Sequence, residues 1–148
     1  ILKVNRGGKI TYHGPGQLII YPTINIKVRK LNLIEYINLI EDICIDVFQN
    51  NKIELFRKKE KNRGLWVNSK MGLKKIIFIG LRYSKGVIHH GLSINFDNNL
   101  EDFRKIDPCG LHGKEISNLK ELKVSYNKNK IIKELKESFT QKFDLNLI

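Results

Sequence analysis

Residues 74–96 read KKIIFIGLRYSKGVIHHGLSINF, two apolar runs separated by Ser84-Lys85-Gly86. β-Branched and aromatic residues dominate both runs, and the short glycine-containing break between them predicts a hairpin. On the returning strand, alternation puts Ile88, His90, Leu92, Ile94 and Phe96 on one face and His89, Gly91, Ser93 and Asn95 on the other. Working outward, IELF and GLWV between residues 52 and 73 read as further strands, and QLIIYPTINI at 17–26 as the first. Asn32 followed by Glu35 forms a capping-box pair, and Leu33, Ile37, Ile40, Cys44 and Val47 recur at helical spacing, which predicts a helix over 33–49. DFRKI reads as a short helical turn, and Ile132, Leu135, Phe139 and Phe143 form the stripe of a last helix. Strands outnumber helices and the hairpins are long. The expected fold is therefore α+β, a mixed, mostly antiparallel sheet with helices packed on one side.

At 148 residues and 17.3 kDa the chain suits one domain, 1–148, large enough to bury roughly 70% of the surface its unfolded chain exposes. Its apolar runs are too short to span a bilayer. Two cysteines, Cys44 and Cys109, have no disulfide or zinc spacing, which points to a reducing compartment. Cys44 sits on the apolar helical stripe and reads as a small core residue. The net charge of +12 and pI of about 9.7 first suggest nucleic acid. Against that, no nucleic-acid motif is present, and the densest basic run, RKKEKNR at 57–63, carries no interleaved aromatics. A positive surface would also speed encounter with acidic protein partners.

Three further strings carry chemistry. RGGKITYHGPGQ at 6–17 holds four glycines, a proline, a histidine and an arginine immediately before the first strand. Such a loop contributes little to a core, but its glycines let backbone approach a ligand closely. IDPCGLHGKEI at 106–116 places Cys109 between a proline and a glycine, in a loop, where nucleophiles are commonly held. A free thiol is only a few per cent thiolate at neutral pH, and a nearby ammonium would increase that fraction. On the strand, His90 falls on the apolar face, where a hydrogen-bonded core histidine is the ordinary explanation. Nothing in composition singles out one lysine among so many.

Together these strings resemble the lipoyl(octanoyl) transferase family. RGGKITYHGPGQ is similar to the family's signature loop, KIIFIGLR to its lysine-bearing strand, HGLSIN to a segment lining the active site, and IDPCGLHGKEI to its nucleophile loop. The resemblance runs in the family's order from Arg6 to about Leu119. It implies a fold similar to the biotin/lipoate protein ligase catalytic domain and catalysis by Cys109 with Lys75, rather than Lys74. It implies substrate binding by Arg6, Gly7, Gly8, His13, Gly80, His90 and Gly91. It also implies an N-terminally incomplete chain, because family members carry sequence before this loop.

The activity implied is transfer of an octanoyl group from octanoyl-acyl carrier protein, through a cysteine thioester, to a lysine of lipoyl domains. Acceptors would be the lipoyl domains of 2-oxoacid dehydrogenases and the glycine cleavage H protein. Lys75, its pKa lowered by burial, would be the general base, with the oxyanion held by backbone N–H groups of the cysteine and glycine-rich loops. No cofactor, metal, membrane or nucleic acid is expected, and the protein would be a cytoplasmic bacterial monomer, or an organellar one in a eukaryote. The alternatives are an ATP-dependent lipoate or biotin protein ligase of the same fold, and a basic nucleic-acid-binding module.

Overall fold

The computed structural model describes residues 4–7, 10–58, 63–106 and 115–145. Its elements are β1 (Gln17–Ile20), β2 (Ile24–Asn25), α1 (Leu33–Asn50), β3 (Phe56–Arg57), β4 (Gly64–Ser69), β5 (Gly72–Ser84), β6 (Val87–Asn95), α2 (Glu101–Arg104) and α3 (Lys128–Lys142). The sheet runs β1-β6-β5-β4-β3, with β2 also on β6, and every strand pair is antiparallel. Among the described residues, the one parallel contact is an isolated bridge between Lys75 and Ile116.

The β5–β6 hairpin forms where the sequence breaks. Ser84 pairs with Val87, and the two loop residues, Lys85 and Gly86, both have positive φ (51° and 89°). A two-residue loop of that kind matches the right-handed twist of its strands. The expected first strand is split. Its halves pair with β6 in one unbroken register, Ile20 opposite Leu92 and Ile24 opposite Ile88, but Tyr21–Thr23 pair with nothing. Pro22 has no N–H to give, and His90 across from it is turned to φ 60°. IELF likewise yields only the two-residue β3, although Ile53 and Leu55 are buried.

Asn32 caps α1 as expected: its side chain accepts from Glu35 N at 2.9 Å, and its own N–H donates to the Glu35 carboxylate at 2.8 Å. Such a cap contributes about 1 kcal/mol. The buried stripe is rotated from the expected one. Tyr36, Ile40, Ile43, Cys44, Val47 and Phe48 face inward, whereas Leu33 is exposed in the first turn. In α3, Ile131 rather than Ile132 joins Leu135, Phe139 and Phe143. The two long helices touch through Tyr36 and Phe143, ring centroids 5.6 Å apart, and with Leu65, Ile77, Leu92 and Ile94 they form the main core on one face of the sheet. The four-residue α2 is the exception. Its Phe103 stacks on Phe78, 5.5 Å between centroids, in a second cluster with Trp66, Leu100 and Ile116. No described helix is long and apolar enough to cross a membrane.

Candidate active site

A one-residue bulge decides which lysine reaches the second cluster. Across β4 and β5, Leu65 pairs with Ile77 and Trp66 pairs with Lys75, so Ile76 has no partner. Strict alternation would put Lys75 beside Ile77, under the long helices. The extra residue instead sends Ile76 and Ile77 together into the main core and moves Lys75 to the face of Phe78 and Trp66. Lys74 falls opposite Val67, a main-core residue. Lys75 is 1% exposed. Its Nζ donates to Arg63 O at 2.6 Å and lies 5.1 Å from the Phe78 ring centroid and 5.6 Å from that of Trp66. Gly64, at φ 113°, makes room for the lysine stem: a Cβ there would stand 2.8 Å from Lys75 Cε and collide with the Ile77 carbonyl oxygen.

Phe78 also lines the neighbouring pocket, where the structure brings together five residues named from sequence: Arg6, His13, Gly80, His90 and Gly91. Lys75 lies behind this lining rather than in it. The floor is kept low by glycine. Arg6 lies across Gly80, its Cδ 3.1 Å from where a Cβ would be, and a Cβ on Gly91 would strike the Ile20 carbonyl. His90 departs from the alternation expected of it. With its left-handed φ it lies in the pocket lining beside Gly91 and Ser93, and its ring meets Tyr21 edge to face at 5.6 Å.

Gly7 lies against the edge of β5. Beyond Phe78, β4 no longer covers the edge of β5, and Gly7 N–H donates to Leu81 O at 2.8 Å there. That N–H is engaged, as is that of Gly14, which donates to Gln17 Oε1 at 3.1 Å. Gly8 and Cys109 lie outside the described residues.

His13 is held by a chain of amides. Asn95, fully buried, donates from Nδ2 to Ser117 O (3.1 Å) and accepts at Oδ1 from Gln17 Nε2 (2.8 Å). These bonds orient Gln17 so that its Oε1 accepts from Gly14 N, and His13 Nδ1, 3.3 Å away, must be the protonated ring nitrogen. Nε2 is then an acceptor. Desolvation of the ring lowers the His13 pKa, the bond to Gln17 opposes this, and the Arg6 charge adds to the lowering. The neutral imidazole is thus the form favoured at pH 7.

Ser117 joins both halves of the site, because its N–H donates to the Lys75 carbonyl at 3.1 Å. Sequence reading missed Asn95, Gln17 and Ser117, and a polar residue within an apolar strand was the available signal for Asn95. It missed Glu41 as well, a charge beside Ile40 on the helical stripe, 1% exposed and bound to Arg57 and Arg63. Cys44 is a core residue as read, its thiol pushed up to about 12 by burial and by Glu41. The basic run at 57–63 is partly consumed internally: Arg57 and Arg63 hold Glu41, and Lys58 pairs with Glu115 at 3.6 Å.

The same arrangement of sheet and helices occurs in known proteins. Lipoate-protein ligase A bound with ATP superposes with a TM-score of 0.68 at 13% identity, over 97% of this chain and 58% of that one. Biotin protein ligase from Aquifex aeolicus gives 0.62 at 12%, over 87% and 53%. In sequence, the chain is 39% identical over 136 residues to an octanoyltransferase of Buchnera aphidicola, covering 92% of this chain and 60% of the relative. An octanoyltransferase of Shewanella denitrificans is 42% identical over 122 residues, covering 82% and 52%. The chain thus spans little more than half the length of these curated relatives. The family model of the lipoyl protein ligase A/B catalytic domain matches residues 1–143, and the chain belongs to that family.

Proposed function

We propose that the chain carries the active site of an octanoyltransferase, which moves an octanoyl group from octanoyl-acyl carrier protein to a lysine of a lipoyl domain. One observation carries this reading: Lys75 is held on the site face by the bulge, and its backbone is tied to Ile116 and Ser117, directly after the segment bearing Cys109. Ile106, on the other side of that segment, rests on the same cluster as Phe78 and Trp66. The names of the sequence relatives support the same activity.

In the first step the Cys109 thiolate attacks the donor thioester carbonyl. A new C–S bond forms, the old one breaks, and the pantetheine sulfur leaves with a proton from the Lys75 ammonium, so Lys75 enters the second step as a neutral amine. In the second, the acceptor lysine amine attacks the acyl-cysteine, giving up its proton to the neutral amine of Lys75, while the Cys109 thiolate leaves. Lys75 is 1% exposed and its Nζ is held at the Arg63 carbonyl, so the amine is shielded from bulk water. His13 and Arg6 position the acyl carbonyl and pantetheine end over the glycine floor, and the oxyanion donors are backbone N–H groups other than those of Gly7 and Gly14.

The acceptor reading gains support from an archaeal lipoate protein ligase of similar fold that was solved in a study with its E2 lipoyl domain, TM-score 0.67. The test is transfer without ATP. Octanoyl-carrier protein and apo lipoyl domain should give octanoylated domain in the absence of nucleotide. Product formed only from free octanoate and ATP would establish the ligase activity instead.

A further inference from the structure

We propose that Glu41 is a positioning residue for Lys75, acting through the single peptide group between Arg63 and Gly64. The Gly64 N–H donates to Glu41 Oε1 at 3.1 Å, and the Arg63 C=O at the other end of the same peptide accepts from Lys75 Nζ at 2.6 Å. The N–H and C=O of a trans peptide point in opposite directions, so one planar unit joins a buried carboxylate on α1 to the amine on β5. A carboxylate on the N–H end polarises the peptide and strengthens its carbonyl as an acceptor. The connection needs glycine at 64. Its φ of 113° is one that side-chain-bearing residues avoid, and a Cβ would displace the lysine stem.

Glu41 is a carboxylate buried on an otherwise apolar helical stripe. Its remaining contacts are to Arg57 (3.0 Å) and Arg63 (3.5 Å), both at the surface end of the same segment, and Arg57 also binds Asp42 at 2.6 Å. Among the described residues, the charged groups near Lys75 include Glu41 from α1, Arg57 and Lys58 from the β3 segment, Arg63 before β4, and Glu115, which pairs with Lys58. Lys58 lies 4.5 Å from the Trp66 centroid, its charge opposing an ammonium on Lys75. Glu41 supplies the opposing negative charge, and Arg57 and Arg63 moderate it. The amine is thus held at the Arg63 carbonyl, with the Glu41 carboxylate on the opposite end of the same peptide.

The experiment titrates Lys75 directly, in the full chain labelled with ¹³C at lysine Cε, the resonance being assigned by its loss in Lys75→Arg. Glu41→Gln keeps an oxygen for the Gly64 N–H but removes the charge, and should lower the Lys75 midpoint by about half a pH unit or more. Arg57→Gln, at a partly exposed position, leaves Glu41 less compensated and should raise it. Asp42→Asn removes a carboxylate that does not touch Gly64, and should move the midpoint less than Glu41→Gln does. Midpoints in Glu41→Gln and Arg57→Gln that both stay within about 0.2 of the parent would overturn the proposal; if Glu41→Gln does not fold, Arg57→Gln decides alone. The inference rests on the general-base reading, yet the two fail separately. A midpoint that follows Glu41 while Lys75→Ala retains full transfer supports the coupling and removes the catalytic role.

Discussion

Gly64→Ala tests whether the space beside Lys75 is built for its stem. Two costs add at this position. The first is conformational: φ of 113° lies outside the regions open to alanine, which costs about 1–3 kcal/mol. The second is steric, because the new Cβ overlaps the Ile77 carbonyl and comes within 2.8 Å of Lys75 Cε; forced repacking of that kind costs about 1–3 kcal/mol more. Gly72 separates the two. It also has positive φ, 88°, but nothing lies within 4 Å of its Cβ position, so Gly72→Ala measures strain alone. For a chain of this size about 2–4 °C is lost per kcal/mol. Thermal unfolding should therefore show a drop of about 2–12 °C for Gly72→Ala and a clearly larger one for Gly64→Ala. Acyl transfer per folded molecule should be unchanged in the first and reduced at least tenfold in the second. Equal losses of stability with transfer intact in both would refute the claim that Gly64 accommodates the lysine.

Two other outcomes follow from the same geometry. Lys75→Ala should reduce transfer by two to four orders of magnitude, the usual range for a general base, while Lys74→Ala, on the other face of β5, stays within a few-fold of wild type in steady-state assays; the opposite pattern would place the bulge one residue away. By proton NMR, His13 should titrate below its ordinary 6.5, lower still in Gln17→Ala and higher in Arg6→Ala. Because its folded value lies below the unfolded one, the folded chain binds fewer protons, so stability conferred by the neutral ring falls as pH drops through about 6.5. A midpoint above 6.5 would contradict the dominance of ring burial, and a midpoint unmoved in Gln17→Ala would contradict the amide-chain assignment.

Much of the fold was legible because local chemistry and tertiary packing agree. The hairpin at Ser84-Lys85-Gly86 and the cap at Asn32 are set by a few neighbouring residues and formed where the pattern indicates. The failures came where a distant contact outweighs the pattern. Nothing in KKIIFIG marks Ile76 as the extra residue, since four apolar positions in succession suit a bulge and a regular strand equally, and the pairing that exposes it comes from β4. His90 was assigned by alternation, which its left-handed backbone interrupts. Pro22 was a visible warning in the first strand, and QLIIYPTINI was nevertheless read as continuous. At the site, Arg6, His13, Gly80, His90 and Gly91 were recognisable from the motif strings, whereas Glu41, Gly64 and Asn95 act through backbone groups that no side-chain motif records.

The most direct test of the account is intact-mass spectrometry after incubation with octanoyl-carrier protein alone, on a chain that includes whatever flanking sequence activity requires. The account predicts a gain of one octanoyl group, mapped to Cys109, released by hydroxylamine, absent in Cys109→Ala and transferred when apo lipoyl domain is added. A chain that converts donor and acceptor to product without ever carrying the acyl group, or that carries it on another residue, would contradict the account.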